Sequence, residues 1–422
     1  MTYCGKDDCI ERFFTIWLNA WPKEHMEEYV WPSDSLCMLC KRKWQRQIPN
    51  NMKIIYIANI RLPTEKAHGI QVMKMCEAFA RKGVDVELVV PMRFNHIREN
   101  PFIYYGTEQN FLITRIPSID LVRFGLVGFG VQYLSFSILA ILYILFKGVD
   151  FVYTRENLIA GIIPIFKRDV FWEVHNNSFS FLSHAALRRA RGIITVTKSL
   201  KEFFVLRKVS EKKLYVAHDG VDIDAFQVLE TKEEARNLFG LPIDKKIILY
   251  TGHLYPWKGA DTLARATHLL PEDAISVFVG GTDGDVFKFR NKYRSNAKCL
   301  VLGPKPYTDI PLYLRCADIL VIPNSAKYEQ SALYTSPMKL FEYMASGVPI
   351  VASHLPSVRE ILNENNAFFV RPDDAPDLAR VLNDLLTSKD KGKTVGEHAI
   401  HDAKNFTWTK RAEGIIDFIT SQ

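Results

Sequence analysis

Two tandem α/β domains, each a parallel sheet covered by helices, are the architecture this sequence predicts. Three observations predict it. From Lys53 onward short β-branched runs alternate with helical patterns, the signature of parallel strands buried on both faces. The alternation stops at a polar, glycine-bearing stretch, HDGVDIDAFQ (218–227), and then restarts. The 422 residues also exceed what one core organises, because domains run to about 100–200 residues.

The first half offers strands at 53–58, 86–90, 151–154, 170–174, 193–197 and 214–217, and the second at 247–251, 275–280, 299–303, 318–323 and 349–353. Ile70, Met73, Cys76 and Ala80 recur at helical spacing after Gly69, and Gly83 closes that helix. Gly69 is thereby expected in a strand-to-helix loop at the ligand edge of the first sheet. Residues 124–146 carry no charge, a length that formally suits a membrane span. Spanning would put strands of one sheet on opposite sides of a bilayer, and Gly125, Gly128 and Gly130 interrupt the start. The expectation is a shorter helix from about Gln132, buried on the sheet or resting on a membrane surface. The domains expected are 52–225 and 226–405, with a closing helix over 406–422.

Residues 1–51 show no strand-helix pattern and are expected to be an extension, disordered or outside the native chain. Cys4, Cys9, Cys37 and Cys40 lie there as C-x4-C and C-x2-C pairs; the second spacing suits zinc and the first is loose for it, so no metal site is assigned. Seven cysteines without an apolar leader segment suggest free thiols in a reducing, cytoplasmic compartment. The formal charge of +7 suits phosphorylated substrates or an anionic membrane. No zinc-finger, RNP or helix-turn-helix pattern favours nucleic acid.

Three stretches carry chemistry. In TSPMKLFEYMASG (335–347) Ser336 reads as an N-cap, Pro337 as the first turn and Gly347 as the C-terminal stop of a helix over 337–346. Met338, Leu340, Phe341, Met344 and Ala345 form its apolar arc, and Lys339, Glu342 and Ser346 the opposite one. Lys339 and Glu342 are therefore either an exposed ion pair or, since the helix follows a parallel strand, a phosphate-binding lysine and a carboxylate suited to a ribose diol. TGHLYPWKG (251–259) places Gly252 where backbone can approach a ligand and Lys258-Gly259 where the next helix begins. Two lysines facing one cleft argue for a diphosphate. Gly280 and Gly281 end another strand in a tight turn, and WEVHNN (172–177) puts His175 at a strand's carboxyl end, as a core histidine or a cleft residue.

These pieces, with a closing FTWTKRAEGIIDFI (406–419), resemble glycosyltransferase family 4 from Met52 to the C-terminus. That family comprises retaining nucleotide-sugar transferases of GT-B fold, in which two Rossmann-like domains face a central cleft and the C-terminal helix crosses back. The resemblance implies a nucleotide-sugar donor in the second domain and a saccharide or lipid-linked acceptor in the first, in cell-surface polysaccharide or glycolipid synthesis, with no metal or other cofactor; peripheral membrane contact is expected from the apolar region 124–146 and the basic residues Arg188, Arg189 and Arg191. It assigns His175 and Lys258 to catalysis. Donor contacts would come from Gly69, Gly252, His253, Lys258, Gly259, Gly280, Gly281, Tyr334, Ser336, Pro337, Lys339 and Glu342. Tyr334 stands where the family's commonest pattern has a glutamate eight residues before Glu342, and His253 where an arginine often follows the glycine. The missing glutamate keeps a second expectation open, a catalytically silent relative that binds nucleotide sugar or acts as a scaffold.

Overall fold

The computed structural model describes residues 52–422 apart from Lys167; the cysteines at 4, 9, 37 and 40, and the expectation about residues 1–51, lie outside the described residues. The first sheet has seven strands in the order β3-β2-β1-β4-β5-β6-β7 and the second has six, β10-β9-β8-β11-β12-β13. Every pairing is parallel. The central strands β1 (Lys53–Ile57), β4 (Phe151–Thr154), β8 (Lys246–Thr251) and β11 (Ile319–Ile322) are almost wholly apolar, as burial on both faces demands. Chain order reverses between β1 and β4 and between β8 and β11. Each reversal leaves a crevice at the strands' carboxyl ends, where ligands of such sheets bind.

Two strands escape sequence inspection. β3 (Leu112–Ile116) and β13 (Phe368–Val370) are edge strands, and an edge exposes part of its surface, so neither needs a long apolar run. β2 (Asp85–Pro91), β5 (Asp169–Val174), β6 (Gly192–Thr195) and β7 (Leu214–Val216) complete the first sheet. β9 (Ala274–Val279), β10 (Cys299–Gly303) and β12 (Ile350–Ser353) complete the second.

Helices α1 (Ala67–Arg81), α2 (Gly125–Leu145), α3 (Asn157–Ile162) and α4 (Phe181–Arg189) cover the first sheet. Two expectations change here. Gly69 lies in the first turn of α1 rather than in a loop, and a Cβ there would sit 2.2 Å from Tyr105 Oη. The glycine makes room for a tyrosine that holds Thr64 N–H and C=O at 2.6 and 2.8 Å. Helix α2 begins at Gly125, not near Gln132. Its glycines cost helix propensity, yet at Gly128 a Cβ would meet Leu121 O at 1.8 Å, so the preceding turn can fold onto the helix only there.

Among the described residues one helix, Val122–Leu145, is long and apolar enough to cross a bilayer. Gln132, Phe136, Ala140 and Ile144 of α2 are buried against the sheet. In the second domain α5 (Met338–Ser346) follows β11. The last helix, α6 (Trp408–Ser421), returns to pack on α1. Gly220, in the linking stretch, abuts Trp408 N at 2.7 Å from where its Cβ would be, and Val221 N–H bonds Phe406 O at 2.9 Å.

Candidate active site

At the second sheet's reversal the loops after β8 and β9 and the start of α5 converge. Gly252, Gly280 and Gly281 all have positive φ, at 116°, 111° and 92°, a conformation that L side chains avoid. A Cβ on Gly280 would lie 2.7 Å from Gly252 O, so the two loops can nest only as glycines. Gly259, at φ 74°, ends the turn carrying Lys258 and presses on Pro323 O, 1.7 Å from its would-be Cβ. Tyr343 Oη accepts Thr251 N–H at 2.8 Å and fixes α5 to the end of β8.

These constraints shape a cavity of about 390 Å³ between the domains. Gly252, His253, Lys258, Gly280, Gly281, Pro337, Lys339 and Glu342 line it, joined by Lys305 and Tyr307 and, from the first domain, by Thr64, Glu65, Tyr104 and Tyr105. Gly69, Gly259, Tyr334, Ser336 and His175 are not on its wall.

The electrostatics of the cavity are those of a site lacking its counter-charge. Lys339 is buried, and its Nζ has no hydrogen-bond partner among the described residues; it lies 3.7 Å above the Tyr250 ring. Such an ammonium is costly to bury. Burial, and then the charge of Lys258, pushes its pKa well down. Lys258 is lowered by burial to about 8. Burial raises the Glu342 carboxyl to about 7 against the opposing pull of Tyr307 and Lys339. The exposed ion pair is thus ruled out: both groups are buried and face the cleft. Burial and Lys258 also lower His253, so its imidazole is neutral at pH 7 and adds donors rather than charge.

Ser336 is not the N-cap. Pro337 takes that position with no side-chain cap, because Ser336 Oγ instead accepts Asp219 N–H at 3.1 Å and ties the start of α5 to the interdomain stretch. Tyr334 turns away into the first domain's core, edge-on to Phe203 at 5.7 Å, its hydroxyl donating to Glu329 Oε1 at 3.1 Å.

His175 lines a second cavity of about 510 Å³ at the first sheet's reversal, with Asn59, His68, Arg155, Asn157 and Asn176. Its Nε2 is 2.5 Å from Glu173 Oε1. Residues two apart on a strand share a face, which is how WEVH aligns them. Glu173 also accepts from Gln71 Nε2 at 2.9 Å, from Arg411 at 3.0 Å and from the Tyr153 hydroxyl. Burial opposes the Glu173 charge, but Arg411, His175 and Arg155 outweigh it and hold the carboxyl well below its ordinary range. Burial and Arg155 lower His175 to about 4, so the ring is neutral and the nitrogen facing the ionised Glu173 carries the proton. Gln71 also holds Asp219 Oδ1 at 2.8 Å. Inspection of the sequence missed this network. Glu173 was readable from its two-residue spacing to His175, whereas Gln71, Asp219 and Arg411 gave no signal across gaps of 102 to 238 residues.

The fold and cleft define a two-domain GT-B protein. The chain belongs to the group 1, family 4 glycosyltransferases: the model described as Glycosyltransferase Family 4 matches residues 69–225 and that described as Glycosyl transferases group 1 matches 231–402. A curated relative, the D-inositol 3-phosphate glycosyltransferase of Mycobacterium tuberculosis (strain ATCC 25618 / H37Rv), is 23% identical over 236 residues, 54% of this chain and 47% of the relative. The match thus spans about half the length of that relative. Among solved structures, Anabaena HepE in complex with UDP and glucose superposes with a TM-score of 0.71 at 16% identity, covering 88% of this chain and all of that one. Sucrose-phosphate synthase from Thermosynechococcus elongatus reaches 0.68 at 18% identity, covering 88% and 98%.

Proposed function

We propose that the protein transfers a sugar from a nucleoside diphosphate donor, held in the interdomain cavity, to an acceptor held by the first domain, with retention at the anomeric carbon. The observation that carries this reading is the unpartnered ammonium of Lys339 at the N-terminus of α5, in one cavity with Lys258 and Glu342. A diphosphate supplies the missing anion, and the first-turn N–H groups of α5 supply donors to it without a metal ion. Glu342 holds the ribose diol. In the transfer the bond from anomeric carbon to phosphate oxygen breaks, its electron pair leaving with the nucleotide, while the acceptor oxygen bonds that carbon and its proton passes to the departing phosphate. Stabilising that departing charge is the main catalytic contribution of this chain's residues. Neutral His175, held by Glu173, faces the acceptor side. The UDP and glucose complex of HepE favours a nucleotide-sugar donor of that kind.

The reading extends to a cytoplasmic enzyme of cell-surface polysaccharide or glycolipid assembly. The free thiols Cys76, Cys299 and Cys316 are in keeping with a reducing compartment. The test is Lys258→Ala, measured by donor titration and initial rates after a thermal-shift screen of UDP, GDP and ADP and their sugars. Charge-assisted hydrogen bonds contribute about 1.5–3 kcal/mol each, so donor affinity or turnover is expected to fall about tenfold to hundredfold. Wild-type kinetics in the variant would remove Lys258 from the site, and binding without sugar turnover would leave a binding protein.

A further inference from the structure

We infer that Glu360 clasps the second domain onto the first and is a positioning residue for sugar transfer, acting through His175 and the turn that carries Lys258. This role rests on the transferase reading, since it says how the two halves of that site are kept in register.

The clasp meets a need of the first domain. The helix Lys198–Val205 has Thr197 as its N-cap, whose side chain accepts Leu200 N–H at 3.1 Å. The first-turn N–H groups of Lys198 and Ser199 have no acceptor within a helix. Glu360, at the end of the short helix Pro356–Arg359 in the second domain, supplies one. Its Oε2 accepts Lys198 N–H at 2.7 Å, and its Oε1 accepts Ser199 N–H and the Ser199 hydroxyl, both at 3.0 Å. A carboxylate there meets the positive end of the helix dipole, and hydrogen bonds to an ionised acceptor are about twice as strong as neutral ones. The Glu360 side chain is 9% exposed, so water competes little for it. His218 Nε2 lies 3.8 Å from the same carboxylate, but burial lowers its pKa and its Nδ1 is 3.0 Å from Val196 O. The neutral ring therefore carries its proton on Nδ1 and adds no donor to the clasp.

Further bonds carry this contact into both halves of the site. The buried Ser357, beside Glu360 on the same short helix, donates to Ser331 O at 2.8 Å, in the π-helical turn Gln330–Tyr334. Ser331 Oγ donates in turn to Trp257 O at 3.0 Å, one residue before Lys258. Gln330 Nε2 donates to His175 O at 2.9 Å. Tyr334 packs edge-on against Phe203, on the helix that Glu360 caps. The turn thus touches the loop of the donor lysine, the His175 backbone and the clasped helix.

Without Glu360 the hydrogen bonds left beside it across this face are the Gln330 bond and a 3.3 Å bond from the exposed Asn177 to Glu329. The distance from His175 to Lys258 would then no longer be fixed. Lys258, Gly280, Lys339 and Glu342, which line the donor cavity, all belong to the second domain. Donor binding therefore has little need of the clasp, whereas transfer to an acceptor on the first domain depends on it.

Two variants and one control test the clasp on the full chain. Glu360→Ala removes the acceptor. Lys198→Pro removes a donor instead, at the first helical position, where proline is tolerated, and after Thr197, whose extended backbone suits a residue before proline. Lys198→Ala keeps that N–H and removes the exposed ammonium. With UDP-glucose as the probe, Glu360→Ala is expected to lower UDP release at saturation about 100-fold, the cost of a misplacement of about 1 Å. Its Kd for UDP is expected to stay within about threefold of wild type, the split that marks loss of transition-state positioning. Lys198→Pro should fall in the same direction, and Lys198→Ala should match wild type. In small-angle scattering of the ligand-free protein, Glu360→Ala and Lys198→Pro should both show a larger radius of gyration than wild type and Lys198→Ala. Equal radii in all four overturn the clasp, and wild-type turnover in Glu360→Ala overturns the positioning role. So does a loss of UDP affinity as large as the loss of turnover. Equal losses in Lys198→Pro and Lys198→Ala would put the effect in the lysine charge and overturn the backbone clasp. Absence of UDP release by wild type would count against the transferase reading, and the scattering comparison would still decide the clasp by itself.

Discussion

Two buried glutamates, Glu173 in the first domain and Glu342 in the second, answer the same physical problem in opposite ways. Glu173 is surrounded by Gln71, Tyr153, His175 and Arg411, and its carboxyl is held well below the ordinary range in spite of burial. Glu342 faces the cleft with Tyr307 and Lys339, and burial lifts it to about 7. A charge whose partners are all protein groups is part of the scaffold, whereas one left short of partners is kept for something that arrives later. The first fixes His175 and joins α6 to the first sheet; the second is the carboxylate that the proposed function gives to the ribose diol.

The largest break in this comparison is Arg411→Met. It removes the cation that Glu173 shares with the backbone oxygens of His218 and Ala217. Leaving one member of a buried pair uncompensated costs about 3–5 kcal/mol, so urea unfolding at pH 7.5 is expected to show a loss of that size. The sign of the pH dependence follows from the depressed folded pKa. Glu173 contributes stability above the unfolded carboxylate pKa and loses it as pH falls through the folded one. In the variant the orphaned carboxylate relieves its cost by taking a proton, so the deficit should shrink as pH falls towards 5. A deficit under about 1 kcal/mol at pH 7.5 would show that Glu173 is not held by Arg411.

Glu342→Gln should act in the opposite sense on stability. The folded pKa of about 7 lies above the ordinary 4.5, so ionisation costs the ligand-free fold an amount that grows between those two pH values and is constant above them. Glutamine carries no charge to desolvate. At pH 8 the ligand-free variant is expected to be more stable than wild type by about 2 kcal/mol, with no gain at pH 4.5. Nucleotide and nucleotide-sugar binding should weaken together, and the donor KM should rise more than kcat falls, because a ribose contact is made equally before and during transfer. Normal nucleotide binding with collapsed kcat would make Glu342 a catalytic group.

Most of the scaffold around these two carboxylates was legible in the sequence. The central strands are continuous apolar runs, and the residues after β8 and at the start of α5 carry local signals: glycines, a helix start and lysines near it. What stayed hidden was long-range or edge chemistry. β3 and β13 lie at sheet edges, where the apolar pattern is weakest. Arg411 meets Glu173 across 238 residues, a contact that no local period encodes. Ser336 looked like a cap because serine before a helix usually is one; Asp219, 117 residues upstream, claims its oxygen instead. Lys339 and Glu342 had the spacing of a surface pair, and they are buried by residues distant in sequence, Tyr250 under the Lys339 ammonium and Tyr307 beside Glu342.

The smallest effect is expected at Tyr334, the position eight residues before Glu342. An acidic residue there would give Glu342 a carboxylate companion in sequence. Tyr334 instead packs against Phe203 within the first domain's core, and its hydroxyl reaches Glu329 Oε1 at 3.1 Å, away from the donor cavity. Tyr334→Phe keeps the ring and its edge-on contact and removes one hydrogen bond at the rim of that core, a change of about 0.5–1.5 kcal/mol in stability. Nucleotide affinity should stay within about twofold of wild type, since a hydroxyl that does not reach the ligand contributes nothing to the difference between bound and free states. Any response should fall on turnover, through the π-helical turn Gln330–Tyr334 that leads towards α5 and whose Gln330 donates to His175 O at 2.9 Å. Dissociation constants for the nucleoside diphosphate and its sugar, with initial rates, decide the matter. A tenfold loss of nucleotide affinity would mean that Tyr334 swings into the cleft on binding, and that Glu342 has a companion after all.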